Sequence, residues 1–247
     1  MYFVARRFIV EKKDIVNIDE NSICIKGSEV KHIQVLRHKI DDEIIVNEFI
    51  CKILEIRKDS ILLSKVKLAP RVGEPNINLT LYLAMLKGEK MDMAIQKAVE
   101  LGCKKIVPFF SKNVIVKLDD KAKNKRKEKL QVIANEACKQ CGRTDAVEIR
   151  DFIFFNEMVN NLENYDICFF AYENEKVSLH EIIDNEKEHR LNHIACVIGP
   201  EGGFDISEVQ KLIQIPNVKC VSLGTRILRA ETAVYNLVSI IMYEFDK

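Results

Sequence analysis

Residues 194–213 read IACVIGPEGGFDISEVQKLI. Ile194 to Ile198 is a short apolar run of the kind that forms a strand buried on both faces. Asp205 to Ile213 has helical periodicity. Between them lie Gly199, Pro200, Glu201, Gly202, Gly203 and Phe204. The 247-residue chain contains only 9 Gly and 5 Pro, so three glycines and a proline within five residues mark a special demand on the backbone. Glycine lets the main chain approach a ligand closely, and successive N–H groups can cradle polar or anionic groups. A tight turn at positive φ explains one or two of these glycines. Three of them, with a proline and a carboxylate, favour a ligand loop. Strand, loop and helix in this order imply a parallel α/β sheet, in which ligands bind beyond the carboxyl ends of the strands. The spacing is not GxGxxG, and no GxxxxGK[ST] occurs, which argues against a dinucleotide site or a P-loop.

A second strand end follows at Leu223-Gly224-Thr225-Arg226-Ile227-Leu228-Arg229-Ala230-Glu231-Thr232-Ala233. Arg229, Glu231 and Thr232 fall in or beside the first turn of a helix, where free N–H groups favour a carboxylate or a ligand oxygen. A capping ion pair between Arg229 and Glu231 is the alternative.

Outward from these loops the same alternation continues. Strands are expected at Ile77–Met85, Lys105–Phe110, Ile167–Ala171, Ile194–Ile198 and Lys219–Leu223. Helices are expected over residues 89–101, where Gly102 is placed to stop the helix, over 121–141, and over the period Ala230, Ala233, Val234, Leu237, Val238, Ile241, Phe245. Residues 1–70 read differently, as short β-branched strands with one helix for which Ser28 is the expected N-cap, and fit a small β-barrel. Pro70 and Pro75 flank the boundary. The expected division is a barrel over 1–70, a linker over 71–75 and an α/β domain over 76–247.

Composition narrows the function. The chain is 47% hydrophobic and 30% charged, enough to fold around a core. No apolar run reaches the ~18 residues of a membrane helix. The first residues, MYFVARRFIVEKK, do not read as a signal peptide. With eight dispersed cysteines, a reducing cytoplasm is expected. Cys138-Lys-Gln-Cys141 is a lone CxxC without a second ligand pair, so a buried or helical thiol pair is expected and no metal. His32, His38, His180, His189 and His193 form no recognisable triad, and neither GxSxG nor HExxH is present.

The net charge of +1 hides an asymmetry. Residues 75–150 carry 16 basic and 9 acidic side chains, whereas residues 151–193 carry 3 and 10. The densest basic run is Lys117 to Lys129, including Lys121, Lys123 and Lys125. It reads either as a solvated helix face or as a stripe that binds polyanions by releasing counterions.

Taken together, Ile198-Gly-Pro-Glu-Gly-Gly-Phe204 and Leu223-Gly-Thr-Arg-Ile-Leu-Arg-Ala-Glu-Thr-Ala233 resemble the bacterial 16S ribosomal RNA (uracil-N3)-methyltransferase family of the SPOUT superfamily. Arg7–Val10, His32–Arg37, Gly88–Asp92, Ile95–Gly102 and Cys141-Gly-Arg143 match in order, so the resemblance covers the whole chain. The sequence departs from the family pattern at Lys139 (often Glu), Val147 (often Pro) and Asp41 (usually Gly). The resemblance implies a PUA-like β-barrel followed by an α/β domain with a deep C-terminal trefoil knot. It implies a cytoplasmic homodimer that acts on 16S rRNA of the small ribosomal subunit, with S-adenosylmethionine as cofactor and neither membrane nor metal as a partner. The cofactor would contact Ile198, Gly199, Pro200, Glu201, Gly202, Gly203, Leu223, Gly224, Ile227, Leu228, Arg229, Glu231, Thr232 and Ala233. Loss of the N3 proton calls for a base or an anion-stabilising cation, and Arg229, Glu201 and Glu231 are the candidates. Arg7, Arg37, Lys121, Lys123, Lys125 and Arg143 are expected to contact RNA. Ribose 2′-O-methylation and a non-catalytic RNA-binding assembly factor are the alternatives.

Overall fold

A computed structural model describes residues 6–116 and 118–247; Lys117 of the basic run and the first five residues of the N-terminal segment lie outside them. The chain divides into two units, Met1–Glu74 with Cys138–Ala146, and Pro75–Ala137 with Val147–Lys247.

The first unit contains β1 (Arg7–Phe8), β2 (Ile15–Asn17), β3 (Ser22–Ile25), α1 (Ser28–Val35), β4 (Glu43–Val46), β5 (Phe49–Ile56) and β6 (Ile61–Leu68). They form a six-stranded, barrel-like sheet in the order β1-β4-β5-β6-β3-β2, antiparallel except for β1 on β4. The period of two is plain in its core. Ile23 and Ile25, Ile44 and Val46, Cys51 and Ile53, Ile61 and Leu63 all point inward, around Phe8 and against Val30 and Ile33 of α1. Register shifts in β5, between Ile50 and Cys51 and between Ile53 and Glu55, let the sheet bend. Ser28 is the first helical residue of α1 and not its cap; Gly27 holds the cap position and no side chain caps the helix. Asp41, where a glycine was expected, keeps the turn conformation at φ 75°. Its carboxylate meets Lys52 at 2.9 Å.

The returning segment Cys138–Ala146 joins this unit through buried charge. The guanidinium of Arg143 donates to Glu74 at 2.9 Å, and both side chains are 5% exposed or less. The second Glu74 oxygen accepts the Asp145 amide at 2.9 Å. Lys139, the departure from the family's usual Glu, donates to Glu29 at 2.6 Å. The Cys138 thiol donates to the Asp145 carbonyl and the Cys141 thiol to the Cys138 carbonyl, each at 3.7 Å. Among the described residues no three His, Cys, Asp or Glu side chains gather as metal ligands, and no helix is long and apolar enough to cross a membrane.

The second unit alternates strands and helices: β7 (Asn78–Ala84), α2 (Glu89–Glu100), β8 (Lys105–Phe110), α3 (Asp120–Cys141), β9 (Glu148–Ile149), β10 (Ile153–Phe154), α4 (Phe155–Leu162), β11 (Ile167–Ala171), α5 (Leu179–Glu186), β12 (His193–Ile198), α6 (Ile206–Ile213), β13 (Val218–Val221) and α7 (Ala230–Phe245). Every strand pair is parallel, in the order β10-β8-β7-β12-β11-β13, with β9 also on β8. Strands β7, β11 and β12 are buried on both faces, as their unbroken apolar runs require. On α7, Ala233, Val234, Leu237, Val238 and Ile241 are buried, and α7 packs on α2. Truncating Leu237, fully buried there, costs about 2–5 kcal/mol by general experience with core leucines.

Candidate functional site

The glycine loop is held from beneath and from the side. A Cβ on Gly199 would lie 2.6 Å from the Phe204 ring, so only glycine lets that ring fold back under the loop. Phe204 is buried against Phe109, Phe155 and Phe170. Gly203 turns the chain at φ 69°, its amide donating to the Pro200 carbonyl at 3.0 Å. Asp205 then caps α6 in a reciprocal box with Glu208. The segment after β8 grips the loop from outside. Asn113 donates to the carbonyls of Gly202 and Gly203 at 3.3 and 3.2 Å, and Lys112 donates to Asp205 at 2.8 Å and to Ser207 at 2.7 Å.

Glu201 ties the loop to the segment after β7. Its Oε1 accepts the Lys87 amide at 3.1 Å and lies 3.5 Å from the Lys90 ammonium. Burial pushes this carboxyl up. Its own backbone N–H, the Lys87 amide and the Lys90 charge together outweigh burial and hold it below the usual carboxylate range. Glu201 is therefore held as a carboxylate that anchors the loop to the segment after β7.

Strands β12, β11 and β13 are neighbours, so the segments leaving their carboxyl ends converge. They enclose a cavity of about 640 Å³, within the usual range for small-ligand sites. From the glycine loop come Ile198, Gly199, Pro200, Glu201, Gly202 and Gly203; from the second loop come Leu223, Gly224, Ile227, Leu228 and Arg229, followed by Ala233 of α7. These expected residues are all brought together. Glu231 and Thr232 are not among the lining residues. One Glu231 oxygen is buried without a hydrogen bond, as is the Tyr235 hydroxyl one turn on. Burial first, and then the Glu231 charge, raise the Tyr235 hydroxyl's pKa.

Sequence reasoning passed over several lining residues. Lys90 comes from α2, and Tyr172 and Glu173 from the segment after β11. Thr225 and Arg226, within the run Leu223–Ala233 expected to line the site, also border the cavity. The charges are mixed: Glu173 and Glu201 against Lys90, Arg226 and Arg229. Gly203 and Glu173 are packed closely, since a Cβ on Gly203 would meet the Glu173 carboxylate at 2.8 Å.

The expected RNA contacts scatter. Arg37, Lys121 and Lys125 are exposed. Arg7 is half-buried and donates to the Asn47 carbonyl at 2.8 Å. Lys123 pairs with Asp120 at 3.0 Å. Arg143 is buried on Glu74 and presents no free guanidinium at the surface.

Residues 73–242 match the model of the RNA methyltransferase domain family. The chain is 30% identical to ribosomal RNA small subunit methyltransferase E of Bacillus subtilis, covering 98% of this chain and 97% of that one. It is 32% identical to the protein of the same name from Mesomycoplasma hyopneumoniae, over 94% and 97%. Among solved structures, the ribosomal RNA small subunit methyltransferase E of Neisseria gonorrhoeae bound to S-adenosyl methionine superposes with a TM-score of 0.83 at 26% identity, covering 96% of this chain and 97% of that one. Both the cavity-bearing unit and the sequence over nearly the full length therefore agree: the chain belongs to the RNA methyltransferase family.

Proposed function

We propose that this protein transfers a methyl group from S-adenosylmethionine to N3 of a uridine in the 16S RNA of the small ribosomal subunit. The observation that carries this reading is the convergence of the two glycine-bearing loops on one cavity at the carboxyl ends of β12, β11 and β13. The relatives' names supply the substrate class.

The residues present fit the cofactor. S-adenosylmethionine carries a sulfonium, an ammonium and a carboxylate, and the cavity offers Glu173 and Glu201 against Lys90, Arg226 and Arg229. The rigid backing of Gly199 by Phe204 provides a fixed wall. When bound, S-adenosylmethionine supplies a methyl group on a positively charged sulfur. The chain's own contribution is alignment, which can lower a displacement barrier by several kcal/mol, and charge. Arg229, exposed at the cavity rim, stabilises the uridine anion left when N3 loses its proton. Glu201 holds the loop in place. The target base must leave its stack to reach the cavity.

RNA binding is assigned to the barrel-like N-terminal unit through Arg7 and Arg37, and to the exposed Lys121 and Lys125 with Lys123. The homodimer implied by the family resemblance is part of this proposal. The C-terminal trefoil knot implied by the same resemblance is part of it too. A ribosomal substrate implies a cytoplasmic protein.

The test is methyl transfer to small subunits that lack the modification, with mass spectrometry of the product nucleoside. Methylation at uridine N3 is the expected result. A methyl group on ribose, or none with cofactor bound, overturns the reading.

A further inference from the structure

Phe110 closes β8 and pairs in register with Phe154 of the edge strand β10. Their rings lie 6.0 Å apart, and Phe152 stacks on Phe110 at 5.5 Å. The Lys123 ammonium lies 5.3 Å from the Phe154 centroid and 5.8 Å from that of Phe110. Phe154 is 62% exposed. It also holds the N-cap position of α4 and makes no capping bond, where Ser, Thr, Asp or Asn stabilises a helix. An exposed phenylalanine at a cap position adds no capping bond, and most of its ring surface stays in solvent.

We propose that Phe110, Phe152 and Phe154, crossed by Lys123, form a stacking platform for an unpaired base of the RNA substrate. The proposal rests on the RNA methyltransferase reading and adds a contact which that reading does not require. Every base has a π face, so aromatic rings bind single strands without reading sequence, and neighbouring cations draw in the backbone. Lys121 and Lys125 are exposed on the same helix as Lys123. The position suits a substrate that must be opened: two residues beyond Phe110, Lys112 holds Asp205 after the glycine loop, and the next residue, Asn113, holds the loop itself. The platform thus stands at the same strand-end edge as the cavity, where it can hold a neighbour of the extruded base. Asp120 and Asp151, paired with Lys123 and Lys127, limit the local positive charge, so stacking rather than charge carries the contact.

The sequence contains no tryptophan, so Phe154→Trp introduces a single indole reporter. Titration with a short single-stranded oligouridylate should quench its emission, and an RNA duplex of equal length should do so far less. Phe154→Ala and Phe154→Leu should each bind the oligouridylate about tenfold more weakly than the parent chain, with affinity for S-adenosylmethionine unchanged. Leu keeps the apolar bulk and removes only the π face, which separates stacking from folding. Unchanged emission at saturating oligouridylate, or parental affinity in both variants, overturns the platform. Methyl transfer by the unsubstituted protein is read separately. Transfer without quenching removes the platform and leaves the function; quenching without transfer supports the platform and removes the function.

Discussion

The Glu201 carboxylate accepts the Lys87 amide at 3.1 Å, so one side chain links the loop after β12 to the segment after β7. This link predicts that Glu201→Gln, which keeps an acceptor and loses the charge, weakens cofactor binding by only about fivefold, the equivalent of one ordinary hydrogen bond. Glu201→Ala releases the loop and weakens it further. Calorimetry with S-adenosylmethionine checks both. The carboxyl is held below its usual range, so the link is complete above the ordinary carboxylate pKa and is lost as pH falls through the lowered one. If Glu201→Gln binds cofactor normally yet transfers no methyl, the residue is a base after all.

Arg229 stands at the cavity rim without a burial constraint. Arg229→Ala should lower kcat about a hundredfold, as loss of one charge-stabilising donor does, with a smaller effect on cofactor affinity. Arg229→Lys should recover part of the rate. Equal losses in cofactor affinity and turnover would assign Arg229 to the cofactor carboxylate.

Asp205 is held at a pKa of about 2, first by the Lys112 side chain and then by Ser207. Its folded pKa is lower than its unfolded one, so its stabilising effect is complete above about pH 4 and disappears as pH falls towards 2. Asp205→Ala should melt a few degrees lower than the parent at neutral pH. Melting curves recorded down this pH range should converge; a constant gap would mean that the charge is irrelevant to the cap.

Arg143 and Glu74 form a buried pair. Removing either partner strands a charge and should cost about 3–5 kcal/mol in a urea melt. The double substitution to alanine should cost clearly less than the two single losses added together. If Arg143→Ala melts normally and binds RNA weakly, the RNA contact expected from sequence is restored.

Lys121 and Lys125 are exposed. Reversing both to Glu should weaken RNA binding and lower the slope of log affinity against log salt by about 1.4 for a single strand. An unchanged slope makes this face a solvated one.

Strands β7, β8, β11 and β12 and helices α2, α3 and α7 are legible in the sequence because each carries a long or unbroken period. The two-residue strands β9 and β10 are not, since two residues define no period; helices α4 and α5 were passed over although α1 and α6, of the same eight-residue length, were read. Asp41 keeps a glycine-like turn without glycine, which composition cannot reveal.

By itself the sequence determined the parallel α/β alternation and the two loops at strand ends, because burial on both faces and glycine's freedom are local demands written in residue type. Tertiary structure decided which residues share the cavity. Successive helix residues are turned by about 100°, so Ala230 and Ala233 face the cavity while Glu231 and Thr232, quoted in the same run, do not. Lys90 and Glu173 reach it from distant segments because the strand order brings their loops together. Arg143 was turned inward by Glu74, a partner 69 residues away, and only the fold could bring those two charges together.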